Sequence, residues 1–126
     1  GMVLLDDFGD IVLKTAARED STFGRVARYI DRHYAEDLSI EQLARQFYLS
    51  PYHLSHIFRQ KTGYSLKQYV LRRRIGEAQM RLVNAQDSVQ TISEAVGFAD
   101  ASYFSRIFSK YVGLTPTEYR KFRIGP

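Results

Sequence analysis

The sequence predicts an all-α fold of about seven helices, arranged as two helix-turn-helix subdomains joined by a long central helix. Three observations carry this expectation. Apolar residues recur at the three- and four-residue spacing of a helix, and no stretch sustains the alternation of a strand. Serine, threonine and aspartate caps, with glycines and prolines, mark where those stretches begin and end. The whole pattern of caps, core positions and terminators occurs twice.

The first helix is expected over residues 23–34, where Val26, Ile30 and Tyr34 share a face with Ala27 beside them. Ser39 caps the second, and Gln42 three residues later completes a capping box ahead of Leu43, Ala44 and Phe47. Ser50 followed by Pro51 opens the third, with Leu54, Ile57 and Phe58 inward and Gly63 as its end. Ser65 and Gln68 form a second capping box, from which a long helix runs through Tyr69, Ile75, Ala78 and Leu82 to Asn84. Ser88 caps a fifth helix bearing Val89, Ile92 and Val96. Asp100 caps a sixth, with Phe104, Ile107 and Phe108 inward, that stops at Gly113. Thr115, Pro116 and Glu118 make a third capping box for a short last helix.

The duplication is explicit in the numbering. Ser39, Ile40, Leu43 and Ala44 recur 49 positions on as Ser88, Val89, Ile92 and Ser93. Beyond the turn the offset is 50: Leu54, Ser55, Ile57, Phe58, Gly63, Ser65 and Tyr69 recur as Phe104, Ser105, Ile107, Phe108, Gly113, Thr115 and Tyr119. The second turn is therefore one residue longer than the first. Each copy has the outline of a helix-turn-helix. A linking helix of about 20 residues is roughly 30 Å long at 1.5 Å per residue, close to the roughly 34 Å turn of B-DNA that separates successive faces of the major groove.

Charge is segregated along the chain. Up to Glu41 five basic residues stand against nine acidic ones, a balance of −4; from Gln42 onward thirteen face five, a balance of +8. A surface for a polyanion belongs to the later two-thirds. The 126 residues, 44% hydrophobic, suffice for a core. The absence of cysteine excludes a disulfide framework and a thiolate metal site, which suits the cytoplasm. No apolar run reaches the roughly 20 residues of a membrane span. His33, His53 and His56 show no HExxH spacing, and neither a phosphate-binding Gly-rich loop nor a GxSxG elbow occurs, so no enzyme, cofactor or metal centre is expected.

The stretches LSPYHLSHIFRQKTGYSLKQYVLRRRIGEAQ and VGFADASYFSRIFSKYVGLTPTEYR carry a signature. With them, residues 37–120 closely resemble the DNA-binding domain of the AraC/XylS family of bacterial transcription regulators. The resemblance implies that the helices from Pro51 and from Ala101 each enter a major groove of double-stranded DNA. It also implies RNA polymerase as a partner, and an effector-binding or dimerisation domain outside this chain. Residues 1–22, with an apolar stripe of Leu4, Leu5, Phe8, Ile11 and Val12, are expected to be a linker or the remnant of such a domain, and residues 23–126 the double helix-turn-helix module. Two positions depart from the family pattern. His56 stands where Arg or Lys is common, which implies a weaker or pH-sensitive base contact, and Ser93 replaces a small alanine, which implies altered packing with the fold retained.

Helices of this kind read bases near their N-terminal ends. The base-contact candidates are therefore Tyr52, Ser55 and His56 in the first unit and Ala101, Ser102, Ser105 and Arg106 in the second. Arg106 is the leading one, because its guanidinium fork matches O6 and N7 of guanine. Arg59 and Lys110 are phosphate candidates, and the helix starts at Ser39 and Ser88 offer backbone N–H groups to phosphates. His53 is open between a surface role and a core-edge one. Arg72, Arg73 and Arg74 are consecutive on a helix and cannot all face one ligand; the resemblance makes Arg74 structural and leaves the other two unassigned. The competing reading is a helical protein-interaction module that contacts the transcription machinery without reading DNA.

Overall fold

The computed structural model describes residues 21–125, and within them the chain forms seven α-helices and no strands. They are α1 (Thr22–His33), α2 (Ile40–Gln46), α3 (Pro51–Thr62), α4 (Leu66–Asn84), α5 (Val89–Ala95), α6 (Ala101–Val112) and α7 (Pro116–Ile124). The expected apolar stripe from Leu4 to Val12 lies outside the described residues. The chain divides into two units at residues 73 and 74, so that α4 contributes its first half to one and its second half to the other.

In the first unit Val26, Ala27 and Ile30 of α1 pack with Leu43 and Ala44 of α2, Leu54 and Phe58 of α3, and Tyr69 of α4. Phe58 is the hub, with its ring edge-on to Phe23 at 5.7 Å and to Tyr69 at 5.3 Å. In the second unit Phe108 and Tyr119 meet in the same T-shaped manner at 5.6 Å. Residues 50 positions apart in sequence thus make the same core contact in each unit. Ile57 and Ile107, expected to face inward, are only half-buried, because the centre of each buried face passes through Leu54, Phe58 and Thr62, or Phe104, Phe108 and Val112.

Capping follows the sequence except at Ser39, where no bond from its N–H to the Gln42 side chain completes the expected box. The Ser39, Ser50 and Ser88 hydroxyls accept from the N–H groups of Gln42, His53 and Thr91, and Asp100 accepts from Ser102 N–H. Reciprocal boxes form at Ser65 with Gln68 and at Thr115 with Glu118, again 50 positions apart. The first helix begins one residue earlier than expected, at Thr22, because the Ser21 hydroxyl accepts from Gly24 N–H. It ends one residue sooner, with Tyr34 as its C-cap. Phe47 and Val96 likewise are C-caps rather than helical residues.

The two tight turns share one hydrogen-bond pattern. Leu49 N–H donates to Ala44 C=O and Tyr48 N–H to Arg45 C=O; Phe98 N–H donates to Ser93 C=O and Gly97 N–H to Glu94 C=O. This is a Schellman motif, which places its C′ residue in the left-handed region. Gly97 occupies that position in the second turn at φ 105°, but in the first it falls to Tyr48 at φ 59°. Left-handed backbone costs an L-residue with a Cβ roughly 1–2 kcal/mol.

Candidate nucleic-acid interface

Burying Leu54, Phe58 and Thr62 turns the opposite face of α3 to solvent. Tyr52, Ser55, His56 and Arg59 lie on that face at helical spacing, and all four are exposed. The Tyr52 and His56 rings stack one turn apart, 5.9 Å between centroids and 15° between planes. The first two turns of α3 therefore present a flat aromatic and imidazole surface. His53 is exposed too, which places it at the surface rather than at the core edge.

In α6 the burial of Phe104, Phe108 and Val112 has the same effect. Ser102 and Arg106 are exposed, while Ala101 and Ser105 are half-buried at the edge of the stripe. The Arg106 guanidinium lies 5.5 Å from the Tyr103 ring, whose other neighbour is Phe98. Tyr103 thus forms an apolar shelf that limits the directions the guanidinium can take. Lys110, exposed one turn further on, has its ammonium 5.8 Å from the Tyr111 ring. Ser39 and Ser88 serve as caps in their own helices, so an anion there would meet neighbouring backbone amides and not these hydroxyls.

The arginine run disperses, as consecutive helical positions must. Arg72 lies over the Tyr64 ring at 4.5 Å, Arg73 pairs with Asp31 at 3.2 Å and covers Tyr34, and Arg74 approaches the Phe98 ring at 5.8 Å. Each thus lies against a partner within its own unit. A shallow cleft of about 400 Å³ opens in the first unit beside Tyr29, Leu38 and Gln42, but Glu36 and Asp37 on its wall make it unsuited to a polyanion. Among the described residues no group of three His, Cys, Asp or Glu side chains is placed to hold a metal, and no helix is long and apolar enough to cross a membrane.

Two residues were not singled out by sequence reasoning. Arg120 donates to the carbonyls of Leu82 at 2.9 Å, Ala85 at 3.3 Å and Asp87 at 2.7 Å, closing the C-terminal end of α4. Nothing in the sequence around Arg120 announces this, because its acceptors are backbone groups more than 30 positions away. Tyr48 could have been found, since the 49-residue offset sets it against Gly97.

Comparison with known proteins agrees with this arrangement. Residues 43–121 match the family described as "Helix-turn-helix domain". The chain is 37% identical over 102 residues to the arabinose operon regulatory protein of Salmonella typhimurium, covering 80% of this chain and 36% of that protein. Among solved structures it is similar to the C-terminal domain of AraT, a response regulator from Geobacillus stearothermophilus. That likeness has a TM-score of 0.80 and 30% identity, over 86% of this chain and 91% of that one. It is also similar to the DNA-binding domain of the global transcriptional factor AdpA in complex with a target DNA, with a TM-score of 0.75 and 26% identity over 79% of this chain and 89% of that one. The chain spans 34–38% of the length of the first relatives it matches.

Proposed function

We propose a function from one premise: the chain belongs to the AraC/XylS family of helix-turn-helix regulators, and corresponds to the C-terminal DNA-binding domain of that family. Its activity is sequence-specific binding of double-stranded DNA in bacterial transcription regulation, with α3 and α6 as recognition helices in successive major grooves. The observation that carries this reading is the pair of exposed polar stripes on the early turns of α3 and α6, each backed by a buried aromatic core.

Roles follow from chemistry and position. Arg106 bonds guanine O6 and N7 through its fork, and Ala101 makes apolar contact with a thymine methyl. Tyr52, Ser55 and His56 read bases in the first groove, and Ser102 and Ser105 serve bases or adjacent phosphates. Arg59 and Lys110 neutralise phosphates at the groove walls. The helix starts at Ser39 and Ser88 face phosphates with backbone amides. Residues 23–126 constitute the module, and the segment before it connects to an effector-binding or dimerisation domain. A protein of this kind works in the cytoplasm and engages RNA polymerase while bound.

Salt titration of duplex binding tests the proposal. A reader of DNA loses affinity steeply as ionic strength rises, because each neutralised phosphate releases counterions. A module that recognises only protein would show no duplex binding even at low salt.

A further inference from the structure

The two turns that precede the recognition helices have the same hydrogen bonds but different residues at the left-handed position. The second has glycine, the residue that position favours. The first has Tyr48, 95% exposed, with a bulky side chain on backbone that disfavours one. An exposed ring contributes little to the core, so folding gives no reason for tyrosine here. Left-handed non-glycine residues concentrate where a side chain has work to do on a ligand.

The surroundings indicate which ligand. Tyr48 stands two residues before Ser50, the N-cap of α3, and four before Tyr52, which is 80% exposed. A recognition helix approaches DNA with its N-terminal end, so the turn leading into it comes next to the sugar-phosphate wall of the groove. A phenol suits that wall, since its hydroxyl donates to phosphate oxygen while its ring covers the sugar. The counterparts of Tyr48 and Tyr52 in the second unit are Gly97 and Ser102, which offer no such surface.

We propose that Tyr48 is a DNA-backbone contact of the first unit, with its hydroxyl donating to a phosphate, and that the second unit has no equivalent. The proposal rests on the DNA-binding reading above. It carries a pair of opposite signs that a structural residue would not show. Tyr48→Gly relieves the backbone and raises the thermal midpoint, yet weakens binding.

The test measures wild type, Tyr48→Gly and Tyr48→Phe against a duplex selected for tight binding and against a mixed-sequence duplex, over a range of salt. Loss of one hydrogen bond to an ionised phosphate oxygen predicts a drop of about ten- to hundred-fold for both variants on both duplexes. Because phenol carries no charge, the slope of log affinity against log salt should stay at its wild-type value. Unchanged affinity in Tyr48→Gly, a loss confined to one sequence, or full affinity in Tyr48→Phe would each overturn the assignment. Failure of the wild type to bind either duplex would instead overturn the DNA-binding reading and this contact with it.

Discussion

At the scale of single residues, the two units have one backbone plan and different surface chemistry. Arg106 occupies the place in α6 that His56 occupies in α3, so the second helix carries a fixed fork and the first a ring stacked on Tyr52. Arg106→Ala should weaken specific binding by roughly 1–3 kcal/mol and relax preference at one base pair, whereas Lys110→Ala should weaken all sequences alike. Binding measured on a panel of single-base variants separates the two, and a uniform loss from Arg106→Ala would make it a phosphate contact. The helical stripes that expose these side chains were legible from periodicity. The fate of Ser93 was only half legible. Its small volume keeps the fold, as expected, but its hydroxyl is fully buried and has no hydrogen-bond partner among the described residues. An unsatisfied buried hydroxyl costs about 1–3 kcal/mol, so Ser93→Ala should raise stability by a figure of that order in urea denaturation. A neutral or destabilising result would mean that a buried water pairs with it.

Among elements, caps and terminators were the most readable part of the sequence, because each rests on residues three or four positions apart. The serine caps, Gly63 and Gly113 stand where short-range pattern puts them. What escaped is what reaches across the chain, as in the closure of α4 by Arg120. Arg120→Ala should destabilise the second unit by roughly 2–3 kcal/mol, by removing charged donors from three carbonyls. Arg120→Lys should recover only part, since an ammonium has no planar fork to spread over them. Calorimetric midpoints of both variants check the order. The capping box of α7 adds a pH dependence. The Thr115 backbone N–H, and then its hydroxyl, hold the Glu118 carboxyl below its ordinary value of 4.5. A depressed folded value means that the contribution is present above the unfolded value and lost as pH falls through the folded one. The stability advantage of wild type over Glu118→Gln should therefore be present at neutral pH and shrink as pH falls below the ordinary carboxylate range. An advantage independent of pH would contradict the assignment.

For the whole molecule, duplication explains both what was foreseen and what was not. Two copies at offsets of 49 and 50 make the pair of units and the longer second turn readable from the amino-acid order alone, although the turns, residues 47–50 and 96–100, each take in a residue expected to be helical, Phe47 and Val96. The same offset exposes the one place where a glycine should stand and a tyrosine does. The two-groove reading depends on both units reading sequence on one stretch of DNA. A 19-residue α4 is about 28 Å long at helical rise, on the order of one turn of the duplex. Selection of bound sequences from a random duplex pool addresses this without presupposing an operator. Two sequence determinants separated by roughly 10 base pairs on one face of the duplex are expected. Enrichment of a single short element with no second determinant, or no enrichment at all, would contradict the two-groove reading.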